Sequence, residues 1–158
     1  MGFFGVSETW YPFLFGINVL CIIAVNRLNV RMLRKFSPHQ LLTTGQIGQC
    51  VCGLVLLGFV LLMPMHQLLN IVVVMVMLFI GFQGLIIANT IASTIELFPD
   101  NSATASALLS ASGFMTGAIA GGIAGSFGET TPFPMAVIMC FCAFAGLSIR
   151  LMIQQRNV

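Results

Sequence analysis

Gln83, Asn89, Thr90, Ser93 and Thr94 interrupt a long apolar run, and their types and spacing decide what chemistry it can support. Gln83, Thr90 and Thr94 stand seven and four residues apart, so on a helix they share one face, with Asn89 alongside. Carboxamides and hydroxyls hydrogen-bond neutral groups; they neither carry protons nor attack electrophiles. So deep in an apolar segment they either line a wet cavity that takes a substrate or bond one helix to another. No Asp, Glu, Lys, Arg or His lies near the middle of any apolar run, so the chain has no intramembrane proton relay of its own. Glu96 comes closest, at the end of its run, where it is either an interfacial carboxylate or a proton carrier. Other polar residues enter apolar runs as well: Asn18 and Asn26, Gln46 and Gln49, then Ser110, Ser112 and Thr116, and these too should face other helices or a cavity.

Catalysis has no material. There is no buried Ser/His/Asp set and no His pair at ligand spacing, and the glycine-rich stretch GFMTGAIAGGIAG lacks the GK[ST] ending of a phosphate loop. The reading is a non-enzyme with no metal and no cofactor. Cys21, Cys50, Cys52, Cys140 and Cys142 all lie in apolar runs, where they serve as bulk rather than as a metal clamp or disulfide framework.

The elements that carry these residues follow from composition. Of 158 residues, 58% are hydrophobic and 6% charged, and the mean hydropathy is +1.04. A water-facing surface needs roughly a quarter of its residues charged, so the solvent around most of this chain is lipid. A net charge of +2, with no basic face interleaved with aromatics, gives nucleic acid no purchase. Within a bilayer backbone groups must pair inside their own segment, which predicts an all-α polytopic transmembrane helical bundle. Proline marks its joints, because all six prolines sit at the edges of apolar stretches. Five spans result, at about 11–26, 41–63, 71–95, 103–127 and 133–153, forming one membrane domain over residues 1–158 with a basic loop at 27–39.

Arg27, Arg31, Arg34 and Lys35 lie between spans one and two, and Arg150 and Arg156 end span five. The positive-inside rule makes that loop and the carboxyl terminus cytoplasmic and the amino terminus external. Arg27, Arg31 and Arg34 fall at i, i+4 and i+7, one side of a helical extension that either anchors topology on lipid phosphates or takes part in a conformational change. An odd span count with an external start suggests that further spans precede these. The glycines Gly113, Gly117, Gly121 and Gly125 step by four, with Gly122 beside them. Each costs roughly 1 kcal/mol relative to alanine in a soluble helix, but in lipid, where joining helices yields no hydrophobic gain, small residues permit the close backbone approach that does.

The segments FGVSETWYPFLFGINV, NRLNVRMLRKFSP and IANTIASTIELFPDNSATASALLS, followed by the glycine helix, resemble in that order the carboxyl-terminal half of major facilitator superfamily transporters. The closest likeness is to the Bcr/CflA-type drug:proton antiporters associated with bicyclomycin resistance. Residues 26 to 35 resemble a degenerate copy of that family's loop signature: Leu28 matches its leucine, Arg31 its first arginine, and Arg34 and Lys35 its basic pair. Asn26 and Val30 replace its first glycine and its aspartate. Gly113, Gly117, Gly121 and Gly122 resemble the family's antiporter signature, with Ala118 in place of proline.

The resemblance implies that the five spans are helices eight to twelve of a twelve-helix multidrug efflux antiporter. Such a protein would lie in a bacterial inner membrane, work by alternating access on a proton gradient and export small hydrophobic drug-like substrates. Span three would line the cavity, and the chain would work with the missing amino-terminal helices or another chain. Two other readings stand beside this one: a membrane interaction protein that uses the glycine face without transporting, and an inert remnant of a disrupted gene.

Overall fold

The computed structural model describes residues 11–127 and 132–156, and apart from short joints they are helical, with no strand among them. Five long helices follow one another: α1 (Tyr11–Met32), α2 (Pro38–Leu62), α3 (Met65–Leu97), α4 (Ser102–Ser126) and α5 (Phe133–Arg156), with a 3-10 turn at Pro99–Asn101. Four stretches, Pro38–Leu62, Asn70–Leu97, Pro99–Ser126 and Phe133–Ile153, are long and apolar enough to cross a membrane. With large apolar side chains exposed on every helix, the chain is a multi-pass membrane bundle.

The joints are set by backbone chemistry. Ser37 opens α2 with a reciprocal capping box, its Oγ accepting from the Gln40 N–H at 3.2 Å while Gln40 Oε1 accepts from the Ser37 N–H at 3.0 Å. Pro38 occupies the first helical turn, where its missing N–H costs nothing. Met63 and Phe98 each precede a proline, and each leaves the helical region there, ending α2 and α3. At 33 residues α3 is about 50 Å long, more than the roughly 30 Å hydrocarbon layer, so it must tilt or project beyond it.

α3 touches the most helices: it packs closely against α2, carries α1 and meets α4, while α2 packs on its other side against α5 and α4 leans more lightly on α5. Leu41, Gly45, Gln49, Cys50, Cys52, Gly53 and Leu56 of α2 are buried, a wider face than a single partner would cover. Leu56, Val72 and Ala136, one each from α2, α3 and α5, form the buried centre.

Three glycines let α2 approach its neighbours. A Cβ on Gly48 would lie 2.5 Å from the Phe82 ring, one on Gly45 3.0 Å from Ile86, and one on Gly53 3.1 Å from the Cys140 backbone. Gly81 and Gly84 of α3 do the same for α1, taking Cys21, Val25 and Ile22 against the helix surface. The regular stripe on α4 behaves differently: a Cβ on Gly113, Gly117, Gly121, Gly122 or Gly125 would have nothing within 4 Å, and no residue of α4 is buried. Within the described residues, close packing runs through the irregular glycines of α2 and α3.

Two expectations need correction. Arg34 does not continue the basic helical face, because α1 ends at Met32 and a turn (Lys35 N–H to Met32 O, 2.9 Å) carries Arg34 and Lys35 towards the Ser37 cap. Ser112 and Thr116 are exposed and turn to neither another helix nor the groove between α3 and α4: their hydroxyls donate to carbonyls of α4 itself, Leu109 and Ser112, at 2.8 Å. A hydroxyl satisfied three or four residues back needs no partner across lipid.

Gly53→Leu forces α2 and α5 apart and should destabilise the detergent-solubilised chain by about 1–3 kcal/mol. Gly117→Leu enters open space and should stay within about 0.5 kcal/mol. Thermal unfolding of the two variants against the parent measures both.

Candidate functional site

α3 divides its polar residues between two tasks. On one side Gln83 and Thr90 face a groove of about 430 Å³ between α3 and α4, completed by Ile86, Ile87, Ile91, Leu109, Ser110, Gly113 and Phe114. These α3 positions recur at one-turn intervals, so a single helical stripe forms the wall. Its polar groups are one carboxamide and two hydroxyls, and no charged side chain lines it. Such a surface accepts an apolar, neutral molecule with a few hydrogen-bonding groups.

On its other sides α3 uses its polar residues to hold neighbours. The carboxamide of Asn89, 0% exposed, donates to Asn29 Oδ1 of α1 at 2.9 Å and to its own Leu85 carbonyl at 2.8 Å. Gln49 of α2 donates through Nε2 to Gln83 Oε1 and to the Phe79 carbonyl, the latter at 3.3 Å. Gln83 thus serves both the helix contact and the groove. Thr94 returns its hydroxyl to the Thr90 carbonyl at 2.8 Å, one turn beyond the groove lining, and Ser93 is half-buried nearby and outside that lining. Of the five polar residues singled out in the sequence, the groove gathers Gln83 and Thr90, and Asn89 is sealed between helices.

Ser110, expected to face a helix or a cavity, lines the groove; Asn29, and Gly113 as part of the groove wall, are not anticipated from the sequence. Asn29 had a signal: it lies two residues from both Arg27 and Arg31, which turns it about 200° away from the two exposed arginines. At the α5 end, Arg150 reaches back to α2, donating to Gln46 Oε1 at 2.7 Å and to the His39 carbonyl at 3.2 Å. Arg27, Arg31, Arg34 and Lys35 are exposed. Glu129 and the amino-terminal segment with Glu8 lie outside the described residues. Cys50, Cys52 and Cys140 are buried, Cys21 is half-buried and Cys142 exposed, all five as free thiols. Among the described residues no group of His, Cys, Asp or Glu gathers to hold a metal.

A bicyclomycin resistance protein homolog of Haemophilus influenzae is 26% identical over 162 aligned positions, covering 100% of this chain and 39% of the relative. The chain is a relative of major facilitator transporters. An uncharacterized MFS-type transporter of Bacillus subtilis, YdgK, is 29% identical over 143 positions, covering 90% of the chain and 35% of that protein. The chain therefore spans less than two fifths of the length of these curated relatives, which are transporters and not enzymes. No protein-family description matches the chain, and no solved structure does. These relatives match the resemblance drawn from NRLNVRMLRK, the ELFPDNS turn and the glycine helix.

Gln49→Leu removes both hydrogen bonds that Gln49 makes to α3 and should cost roughly 0.6–2 kcal/mol. Thr90→Val keeps the shape of a groove residue that ties no helix and should leave stability within about 0.5 kcal/mol. Melting curves in the same detergent separate the two.

Proposed function

We propose that this chain forms helices eight to twelve of a multidrug efflux drug:proton antiporter of the Bcr/CflA type, and that it transports only together with the helices that would precede them. The observation that carries the reading is end-to-end similarity to a bicyclomycin resistance protein homolog more than twice as long, combined with a helix, α4, whose glycine face meets nothing within the described chain. A neutral, mostly apolar groove beside that face suits small hydrophobic drug-like molecules. Because no carboxylate or imidazole lines the groove, the proton-carrying acid would come from the other half. The five helices would cross the bacterial inner membrane with the amino terminus outside and the basic turn at Arg34 and Lys35 in the cytoplasm. The two halves would then rock about the groove in alternating access, drawing on the proton gradient.

A second reading has a specific observation behind it. The same unpartnered glycines suit a membrane protein that binds another helix without transporting anything. The two readings part on drug tolerance.

The experiment expresses the chain in an efflux-deficient bacterium, alone and with the first seven helices of the Haemophilus influenzae relative. Drug tolerance and proton-coupled efflux should appear only with both parts. Gly117→Leu combined with Gly121→Leu should abolish them, and Thr90→Val should lower efflux several-fold by removing a groove hydroxyl, about 1 kcal/mol of interaction. Robust proton-coupled export by the purified chain alone would refute dependence on a partner. Loss of a cross-linked membrane partner in the glycine variants with unchanged drug tolerance would favour the interaction protein.

A further inference from the structure

Asn29 lies in the most polar stretch of α1, NRLNVR, yet it is only 3% exposed, whereas Arg27, Leu28, Val30 and Arg31 around it are all exposed. A helix that turns its cations outward here buries one residue, and that residue is an asparagine. Its partner, Asn89, is the most completely buried polar side chain of the bundle, and both described bonds of its carboxamide leave through Nδ2. The opposite amide orientation would set Asn89 Oδ1 against two oxygens, Asn29 Oδ1 and the Leu85 carbonyl, so the network fixes donor and acceptor. Asn29 is the acceptor. Among the described residues Asn89 Oδ1 has no hydrogen-bond partner, and the pair is joined there by this one interhelical bond.

The rest of the α1–α3 seam gives a weaker directional signal: Cys21 Sγ donates to the Met77 carbonyl at 3.8 Å, a long sulfur bond. Cβ positions on Gly81 and Gly84 would lie 3.4–3.8 Å from Cys21 Sγ, from methyl carbons of Ile22 and Val25 and from Oδ1 of the exposed Asn26, ordinary van der Waals contact on a glycine track. In lipid such contacts gain nothing from burial, and a one-turn slip replaces one set with a similar set. A buried carboxamide pair does not tolerate that exchange, because slipping strands a donor and an acceptor away from water. A rotation of α1 by one residue, about 100°, would also carry Arg27 or Arg31 towards the seam.

We propose that Asn29 and Asn89 form a register clasp: a positioning pair that seats the basic end of α1 on α3, the helix that walls the groove, and so holds Arg27 and Arg31 outward. The clasp does not depend on what the groove binds or on whether the chain transports.

Native Cys21 supplies the probe, because a Cβ at Gly81 would lie 3.4 Å from its Sγ, close enough for a disulfide after Gly81→Cys. The full chain in native membranes carries Cys21 and Gly81→Cys, with Cys50, Cys52, Cys140 and Cys142 replaced by alanine, and the rate of oxidative cross-linking is followed. Asn29→Ala and Asn89→Ala should each slow cross-linking about fivefold. Asn29→Asp keeps an accepting oxygen opposite the Asn89 amide and should restore most of the rate. A structural role that needed only bulk would not separate Asp from Leu at this position, so Asn29→Leu, expected to be slow, completes the set. Cross-linking at the parent rate in Asn29→Ala, or an Asn29→Asp rate as slow as that of Asn29→Leu, would overturn the clasp. If a variant fails to accumulate in membranes, Asn29→Asp and Asn29→Leu are compared on the yield of inserted chain: a higher yield for Asp supports the clasp, and equal yields overturn it.

Discussion

Backbone-close contact along α2 is the constraint on which the bundle depends. Lipid supplies no hydrophobic force to press one apolar helix on another, so helices associate through dense van der Waals contact and a few hydrogen bonds. Gly45 and Gly48 give that contact to α3, and Gly53 gives it to α5, where the Cys140 backbone lies against the position a side chain would fill. Polar bonds then fix the helices where glycine lets them meet: Gln49 to Gln83, and Arg150 to Gln46 and the His39 carbonyl. α1 is added through α3, again over glycines, with the Asn29–Asn89 bond at its basic end. The arrangement leaves α4 at the margin, with Leu108, Met115, Ile119 and Ile123 exposed and Phe114 81% exposed.

Proline positions make the helices legible in the sequence itself. Because the residue before a proline avoids the helical region, α2 and α3 end at Met63 and Phe98, each directly before a proline, and Pro38 and Pro64 stand at the starts of α2 and α3. The start of α3 extends past Asn70 to Met65 beside Pro64, whereas α1 runs on past Asn26 to Met32 as the basic helical extension expected of it, since a helix can emerge from the bilayer with charged residues on it. The site was less legible. A regular glycine period draws the eye to α4, yet the glycines that pack are those at 45, 48, 53, 81 and 84, whose spacing follows the crossing of two helices and not one helix alone. Asn89 and Thr90 look equivalent in sequence, and one residue of helical rotation puts the first in a seam and the second in a groove.

In the proposed transporter, what the chain would contribute follows from that division. Its groove is lined by isoleucines, a leucine and a phenylalanine, with Gln83, Thr90 and Ser110 as its polar groups, a lining that would suit a neutral molecule. No carboxylate or imidazole lines it. A rigid core of α2, α3 and α5 beside a glycine-faced α4 that packs lightly is the arrangement expected of one half of a rocking machine, in which the mobile contact lies between halves. In that account the stripe GFMTGAIAGGIAG is a sliding surface, and its openness within this chain reflects a neighbour supplied by other helices.

The most direct measurement is the lipid exposure of α4. A spin label attached after Gly117→Cys, in a background with the native cysteines replaced, reports collision with dissolved oxygen in the bilayer. The account predicts high oxygen accessibility for the chain alone and a several-fold fall when the part of the Haemophilus influenzae relative that this chain does not cover is co-expressed in the same membrane. Unchanged accessibility in its presence would contradict the account.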